Sequence, residues 1–253
     1  MQLALAGLAG VFALITGYGF VDQRRRSAAI SEAGTTTTQG IYEGNVGLEG
    51  TIGASDAGTL TAPLTGEDAV LIDWEIREVN DDEEGPPDRV GHGRQAAEFV
   101  LEDGHGSVRV DPDGVQLMAS AGASTTETQM ANMEPSDDVV SFLESFENDH
   151  GGTDREGVSV RASGTEMTRH KTQAANERRR YTHEALGPGD EVYVLGNARS
   201  NGDGEFAIGD GDGKFLLSDM GPEALQDDLK QTTWLLGAIA GASVIAAIYF
   251  LVA

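Results

Sequence analysis

Two uncharged apolar segments, one at each end of the chain, constrain the fold more than any other feature of the sequence. Residues 3–21 and 234–253 contain no Asp, Glu, Lys or Arg. At roughly 1.5 Å of helix rise per residue, each segment is long enough as a helix to cross a hydrocarbon core of about 30 Å. The pattern predicts transmembrane helices at residues 1–21 and 233–253, with every charged side chain between them.

The basic cluster after the first segment indicates its orientation. Arg24, Arg25 and Arg26 follow the apolar run, whereas the charges of a signal peptide precede it. Loops rich in Lys and Arg stay in the cytoplasm. We therefore expect a cell-membrane protein with two spans and a cytoplasmic domain between them. Residues 22–44 are predicted to be a juxtamembrane linker, and residues 221–232 a short amphipathic helix leading into the second span.

The charge balance narrows the choice of partner. The chain has 17 Lys and Arg against 42 Asp and Glu, which gives a net charge of −25. Nucleic acid is not an expected partner, because phosphate attraction requires a cationic surface. Lysine occurs only at positions 171, 214 and 230. An acidic, Lys-poor surface is typical of a protein kept soluble in concentrated salt, which screens charge repulsion, and we interpret it as a halophile's surface.

The central residues alternate apolar and polar side chains in short runs, a period typical of β-strands. Strands are predicted at 45–53, 69–79, 96–101, 107–110, 115–118, 181–186 and 191–198, with a hairpin of 204–208 and 214–218. A helix is predicted at 136–146, loops at 80–88 and 120–130, and a flexible link at 149–156. The expected fold over residues 45–220 is mainly β with minor α (α+β), an antiparallel barrel or sandwich.

Several segments in this order resemble a known family. They are Val46–Thr51 (VGLEGT), Leu60–Gly66 (LTAPLTG), Gly106–Pro112 (GSVRVDP), Leu186–Gly196 (LGPGDEVYVLG), Gly204–Gly209 (GEFAIG) and Phe215–Asp219 (FLLSD). With an apolar helix on either side, the set resembles the membrane-flanked domain of the GIDE or MULAN type of E3 ubiquitin ligases. The resemblance implies a folded module beside a membrane and an E3 ubiquitin-protein transferase function.

The sequence departs from that family at the catalytic part. The eukaryotic ligases carry a RING after the second helix, and a RING needs eight zinc-ligand positions supplied by Cys and His. This sequence has no Cys, and its histidines are scattered at positions 92, 105, 150, 170 and 183. We interpret each histidine as solvated or structural. Ligation would then require a separate RING subunit from a ubiquitin-like conjugation machinery.

Other chemical motifs are weak. The sequence has no HExxH, no P-loop and no GxSxG motif. Asp203, Asp210 and Asp212 suggest a calcium loop, but counting from Asn201 places the EF-hand glycine position at Phe206. Hairpin turns built from Gly and Asp are the favoured interpretation, and a weak cation site stays open. We predict no catalytic residue, no cofactor and no metal site.

Two sets of residues are candidates for binding. Arg178, Arg179 and Arg180 form a basic run, which is either a set of ion-pair partners for nearby acids or a docking patch for an acidic partner or an anionic lipid headgroup. Gly237 and Gly241 form a GxxxG motif, which allows close helix packing, either between the two spans or between two copies of the chain.

The leading functional hypothesis is a non-catalytic, membrane-anchored module that recruits an unidentified membrane or cytoplasmic protein to the lipid bilayer surface. The alternative is E3 ubiquitin-protein transfer with a separate RING subunit. A membrane-bound hydrolase with catalytic residues outside the known motifs is the second alternative.

Overall fold

The chain folds into two units, one helical and one built from β-strands. The computed structural model describes residues 2–80, 87–120, 124–130, 158–163, 177–202, 204–211 and 213–252. The helical unit comprises Met1–Thr35 and Met220–Ala253, and the β unit comprises Thr36–Asp219.

Two long helices, α1 (Gln2–Ala33) and α2 (Pro222–Val252), pack against each other in the helical unit. Gly34 follows α1 with a backbone φ of 62°, the left-handed conformation that glycine adopts at the end of a helix without steric cost. Pro222 occupies the first turn of α2, where its missing N–H costs no hydrogen bond. Both helices extend beyond the predicted spans. The first part of the predicted linker belongs to α1, and the predicted short helix is the start of α2.

The parts of both helices beyond the apolar segments combine charged and apolar positions. Arg26 Nη2 lies 2.7 Å from Asp22 Oδ2, one turn earlier on α1. Ile30 of α1 and both Leu225 and Leu229 of α2 are buried. These apolar positions explain why the helical structure continues past the uncharged segments.

The β unit contains fourteen strands among the described residues. They are β1 (Gly44–Ala54), β2 (Leu60–Thr61), β3 (Asp68–Ala69), β4 (Leu71–Asn80), β5 (Asp88–Ala97), β6 (Phe99–Glu102), β7 (Ser107–Val110), β8 (Gln116–Met118), β9 (Ser124–Met130), β10 (Val158–Ser163), β11 (Glu177–Leu186), β12 (Glu191–Ser200), β13 (Phe206–Gly209) and β14 (Leu216–Ser218). A 3₁₀ turn at Thr38–Gly40 precedes β1, and β2 pairs only with β3 among these strands. The unit is mainly β, as predicted.

Five strands close into a barrel. Their order is β1-β6-β7-β13-β12, and β12 pairs again with β1. Neighbouring strands are antiparallel except for β7 and β13, which are parallel. A five-stranded Greek-key barrel with this connectivity is of the OB type. β14 pairs with β12 next to β13, and β8 lies parallel beside β14.

The barrel interior is filled by alternate side chains of its strands. On β7, Val108 and Val110 are buried, whereas Ser107 and Arg109 are exposed. The large core side chains include Val46, Leu48, Ile52, Val70, Leu71, Phe99, Leu101, Val192, Val194, Ile208, Phe215 and Leu217. The β unit therefore has one large apolar core, to which the barrel strands contribute together with Val70, Leu71, Phe215 and Leu217 from outside them.

The second large sheet has five strands in the order β10-β5-β4-β11-β9, all antiparallel. Its three central strands, β5, β4 and β11, have 10 residues each. At about 3.4 Å per residue, each spans roughly 34 Å. The sheet therefore offers a long ladder on which side chains from distant parts of the sequence come into register.

One predicted loop is a strand. The sequence predicts a loop at residues 120–130, but Ser124–Met130 forms β9 along β11. The segment has no apolar alternation that would reveal a strand, and its backbone pairing depends on β11, which lies far along the chain. The predicted loop is therefore wrong over these residues.

The predicted hairpin near the end of the β unit is also wrong. Both of its strands exist, as β13 and β14, but each pairs with β12 and not with the other. β12 has 10 residues, so one part of its edge pairs with β14 and another with β13. The predicted strand 96–101 is likewise two strands, because Glu98 separates β5 from β6.

Three other predictions concern residues outside the described part of the chain. The helix at 136–146 and the link at 149–156 lie there, as does most of the acidic loop at 80–88.

Candidate functional site

The five-stranded sheet has an apolar face and a polar face. Along β4, Ile72, Trp74 and Ile76 are buried, and Asp73, Glu75 and Arg77 alternate with them and are partly exposed. Directly opposite residues of an antiparallel ladder share a face. The register of β5, β4 and β11 therefore arranges the charged side chains of the polar face in three successive rows.

The first row crosses the sheet from Arg94 on β5 through Asp73 on β4 to Glu184 on β11. The Arg94 guanidinium donates hydrogen bonds to both carboxylate oxygens of Asp73. It also donates to the backbone carbonyl of Val115. One guanidinium thus faces two carboxylates and is already engaged on both sides.

Glu184 is the carboxyl group that this row leaves least compensated. Its burial raises its pKa, the negative charges of Asp73 and Asp219 raise it further, and the positive charge of Arg94 acts in the opposite direction. Asp219 itself accepts hydrogen bonds from the Ser120 backbone N–H, at 2.6 Å, and from the Ser120 hydroxyl. This end of the polar face is therefore acidic.

The third row is composed of arginines, and we call it the arginine row. Arg89 on β5, Arg77 on β4 and Arg180 on β11 lie directly opposite one another. Arg77 pairs with the carboxylate of Glu75 on its own strand. Arg89 and Arg180 are exposed, and neither forms an ion pair within the part of the chain that the structure describes. We call the first row the acidic row, after Asp73 and Glu184. Between it and the arginine row lie His92, Glu75 and Thr182.

The register divides the basic run that the sequence singled out. Arg178 and Arg180 belong to one face of β11, because successive residues of a strand point to opposite sides. Arg179 lies opposite Glu78 on the other face. The role of this run in docking stays a prediction.

Sequence reasoning missed two members of the arginine row, Arg77 and Arg89. Their signal is present in the sequence, since they flank the acidic segment at residues 80–88. A β-bulge after Ile76 shifts the pairing, so that Arg77 lies opposite Arg89. The bulge cannot be found from the apolar pattern, and the partnership with Arg180 depends on a ladder closed by a distant strand.

A pocket of about 390 Å³ on the barrel is a second candidate. It is lined by Ala54, Ser55, Asp56, Ala57, Glu98, Val100 and Arg109. Arg109 Nε lies 3.5 Å from Glu98 Oε1, and the Ser55 hydroxyl donates to the Glu98 backbone carbonyl at 2.5 Å. Two carboxylates and one guanidinium give the pocket a mixed charge.

The described histidines do not assemble into a site. His183 is buried, and its Nδ1 accepts a hydrogen bond of 3.4 Å from the Leu64 backbone N–H. Burial lowers its pKa, and the nearby charge of Glu67 raises it. His92 lies on the polar face, and His105 Nδ1 lies 3.9 Å from Asp103 Oδ1. Positions 150 and 170 lie outside the described residues.

No group of three or more His, Asp or Glu side chains within the described ranges could hold a metal ion. Of the three aspartates that suggested a calcium loop, Asp203 and Asp212 lie outside those ranges. Asp210 accepts a hydrogen bond from the Gly211 backbone N–H at 2.9 Å, which is the bonding of a turn.

In the helical unit, Gly237 of α2 lies against Phe20 of α1, whose ring carbon is 3.1 Å from the place a Cβ would occupy. Any larger residue at position 237 would meet that ring. The environment of Gly241 is outside the description. Over the residues that the structure describes, neither α1 nor α2 has an apolar stretch long enough to span a membrane.

A protein-family comparison covers most of the structure described above. The model of the GIDE family, described as an E3 ubiquitin ligase, matches residues 78–252. The match begins directly after Arg77, includes Arg89 and Arg180 of the arginine row, and contains the whole of α2. No curated protein matches the chain. The matched segment spans more than half of the chain, and the chain therefore belongs to the GIDE family of E3 ubiquitin ligases.

Proposed function

We propose that this GIDE-family chain is a non-catalytic module, anchored in a membrane by its two ends, that recruits a partner protein to the membrane surface. The observation that carries the recruiting role is the polar face of the five-stranded sheet. It presents exposed arginines in register on strands of 10 residues, a rigid arrangement suited to recognition.

The composition of these residues supports the non-catalytic part of the proposal. A RING holds zinc with Cys and His side chains. The 253 residues contain no Cys, so they supply no thiolate for such a site. The family name then refers to the relationship between this folded module and the ligases. We propose that this chain recruits a partner protein and does not itself transfer ubiquitin.

Membrane anchoring is supported by the sequence of the helical unit. Residues 3–21 and 234–253 carry no charged side chain, and the arginines at 24–26 follow the first segment directly. Lys and Arg next to a span favour the cytoplasmic side. We propose that α1 and α2 cross the cell membrane and that the β unit is cytoplasmic.

The topology can be tested with single cysteines, because the natural chain has none. We would place one at the exposed Glu205, as Glu205→Cys, and treat intact and permeabilised cells with a membrane-impermeant maleimide. Labelling only after permeabilisation supports a cytoplasmic β unit. Labelling in intact cells would place the unit outside, and recovery of the chain in the soluble fraction after lysis would contradict anchoring.

Recruitment can be tested by purifying the tagged full chain from its own membranes in detergent at native salt. A membrane or cytoplasmic protein in constant ratio to the chain, and no ubiquitin-like modifier, supports the recruiting role. Recovery of the chain alone would contradict it.

The family match favours one alternative, participation in E3 ubiquitin-protein transfer through a separate RING subunit. Its mark in the same purification would be a zinc-containing RING protein or a conjugating enzyme in constant ratio to the chain. Transfer of a ubiquitin-like protein in the reconstituted mixture, lost when the chain is omitted, would establish this alternative over the first.

A further inference from the structure

We propose that the arginine row, Arg89, Arg77 and Arg180, binds the carboxylates of an acidic segment on a partner protein. The proposal rests on the recruiting function above and identifies its surface and the chemistry of its ligand. Three guanidinium groups stand in one line across β5, β4 and β11. Adjacent strands are about 4.8 Å apart, so the line extends for roughly 10 Å.

The arrangement is unfavourable for the protein alone. Like charges directly opposite each other in a ladder destabilise a sheet. The carboxylate of Glu75 compensates Arg77, but Arg89 and Arg180 have no acidic partner in the described part of the chain. Among the described residues this cost therefore has no compensation at Arg89 and Arg180, as is expected where a surface serves binding.

The chemistry of the row favours carboxylates or similar oxyanions. A guanidinium presents its donors in a rigid fork that matches the two oxygens of a carboxylate. The side chain of Arg77 is 41 % exposed even with its Glu75 partner, and its two neighbours in the row are exposed. The donors are therefore accessible from solution without any rearrangement of the sheet.

The extent of the row favours a peptide segment over a membrane surface. One row away on the same face lies Glu75, and beyond it lie Asp73 and Glu184. A continuous anionic lipid surface would meet these carboxylates and the net charge of −25. A few carboxylates on an extended segment can contact the arginine row alone.

The experiment uses the full chain in nanodiscs of zwitterionic lipid and a fluorescent hexaglutamate peptide as the probe, at fixed ionic strength. The double variant Arg89→Gln, Arg180→Gln should weaken peptide binding by about fivefold, since exposed ion pairs contribute modestly. The matched control is Arg199→Gln, Lys230→Gln, which removes the same charge from exposed residues outside the five-stranded sheet. It should change binding by less than about twofold.

Equal losses in the two double variants would show an effect of net charge alone and overturn the proposal. Absence of hexaglutamate binding to the natural chain would also overturn it. Vesicles containing phosphatidylglycerol form the third arm, and loss of vesicle binding without loss of peptide binding would assign the row to lipid instead.

Thermal unfolding separates binding from a structural role. If Arg89 and Arg180 form no stabilising ion pair within the protein, the double variant Arg89→Gln, Arg180→Gln should leave the Tm unchanged or raise it. The reason is that like charges opposite each other in the ladder are removed. A lower Tm would assign the arginines to internal ion pairs and contradict the proposal. The membrane topology of the variant should match that of the natural chain. A loss of peptide binding with unchanged topology therefore tests the arginine row separately from membrane anchoring.

Discussion

The barrel and the five-stranded sheet use the same strand geometry for different purposes. The barrel closes on itself, so its strands bury one face around a shared core, and Phe99 and Leu101 are fully buried there. The five-stranded sheet stays open and carries rows of charged side chains on one face. From this difference we expect substitutions of buried barrel residues to cost more stability than substitutions on the polar face of the open sheet.

The largest expected effect on stability comes from a cavity in the core at the barrel. Leu101→Ala removes a fully buried side chain and should lower the free energy of unfolding by about 3 kcal/mol. The adjacent Val100 is partly exposed and lines the barrel pocket, so Val100→Ala should cost less than about 1 kcal/mol. Denaturant unfolding can be followed by the fluorescence of buried Trp74 in a Trp234→Phe background. Similar costs for the two variants would contradict a barrel-centred core.

The same measurement can ask whether closure of the barrel demands close backbone approach. A Cβ at Gly50 would lie 2.6 Å from the Glu102 backbone carbonyl oxygen, at the point where β1 passes from β12 to β6. Gly50→Ala should therefore cost about 2 kcal/mol. Gly53 is the control, because its nearest contact is 3.4 Å away in the flexible Glu102 side chain. If both substitutions are neutral, closure is looser than the geometry indicates.

The two regions also differ in how far sequence predicts them. The strands of the barrel follow from local alternation, and 107–110 is predicted with the bounds that β7 has. Closure and strand order do not follow from it, since β12 shares one edge between two partners and so defeats the hairpin prediction.

In the open sheet, the functional surface depends on register between distant strands. Arg180 can be recognised in the sequence as part of a basic run, but its position opposite Arg77 requires the complete β4–β11 ladder. Strand period alone predicts that Arg179 and Arg180 lie on opposite faces, so this feature of the basic run can be predicted from the sequence. The sequence does not predict the pairing register of these distant strands. The register matters because a shift of one residue would move each side chain to the other face.

A polar contact on the barrel side tests whether charge there is structural. Asp103 accepts hydrogen bonds from the Thr38 N–H at 2.6 Å, the Thr38 hydroxyl at 2.7 Å, the His105 N–H at 2.9 Å and the Gly106 N–H at 3.2 Å. Asp103→Asn should cost about 1 kcal/mol, since hydrogen bonds to a charged group are lost or weakened. Asp56→Asn, at an exposed turn, is the matched control and should be neutral.

The pH dependence of this contact has a definite sign. Burial raises the pKa of Asp103, but the hydrogen bonds from Thr38, His105 and Gly106 outweigh it and bring the pKa to about 2. An unfolded Asp has a pKa of about 3.9. The natural chain should therefore hold this stability above about pH 4 and lose it as the pH falls toward 2, whereas Asp103→Asn should lack that part of the slope. Parallel stability curves for the two proteins between pH 4 and 2 would contradict the assignment.

The smallest effect is expected on the open sheet, and it has the opposite sign. The Glu184 pKa is raised by burial and by Asp73 and Asp219, so its charged form is disfavoured in the folded protein. Stability should therefore fall as the pH rises from the ordinary pKa of a glutamate through the raised value. Glu184→Gln removes this cost and should raise the free energy of unfolding at neutral pH by a few tenths of a kcal/mol. Exposed Glu191→Gln, on the barrel strand β12, provides the control and should change it less.

If Glu184→Gln raises the free energy of unfolding and Asp103→Asn lowers it, the carboxylates of the two regions have opposite effects on stability. In the barrel, the carboxylate is surrounded by donors and holds a turn in place. In the sheet, Arg94 serves two acids at once, so removing one of them relieves repulsion. If Glu184→Gln instead lowers stability at neutral pH, the acidic row is a structural network like that of Asp103. The arginine row would then be the remaining evidence that the open sheet carries unfavourable charges for binding.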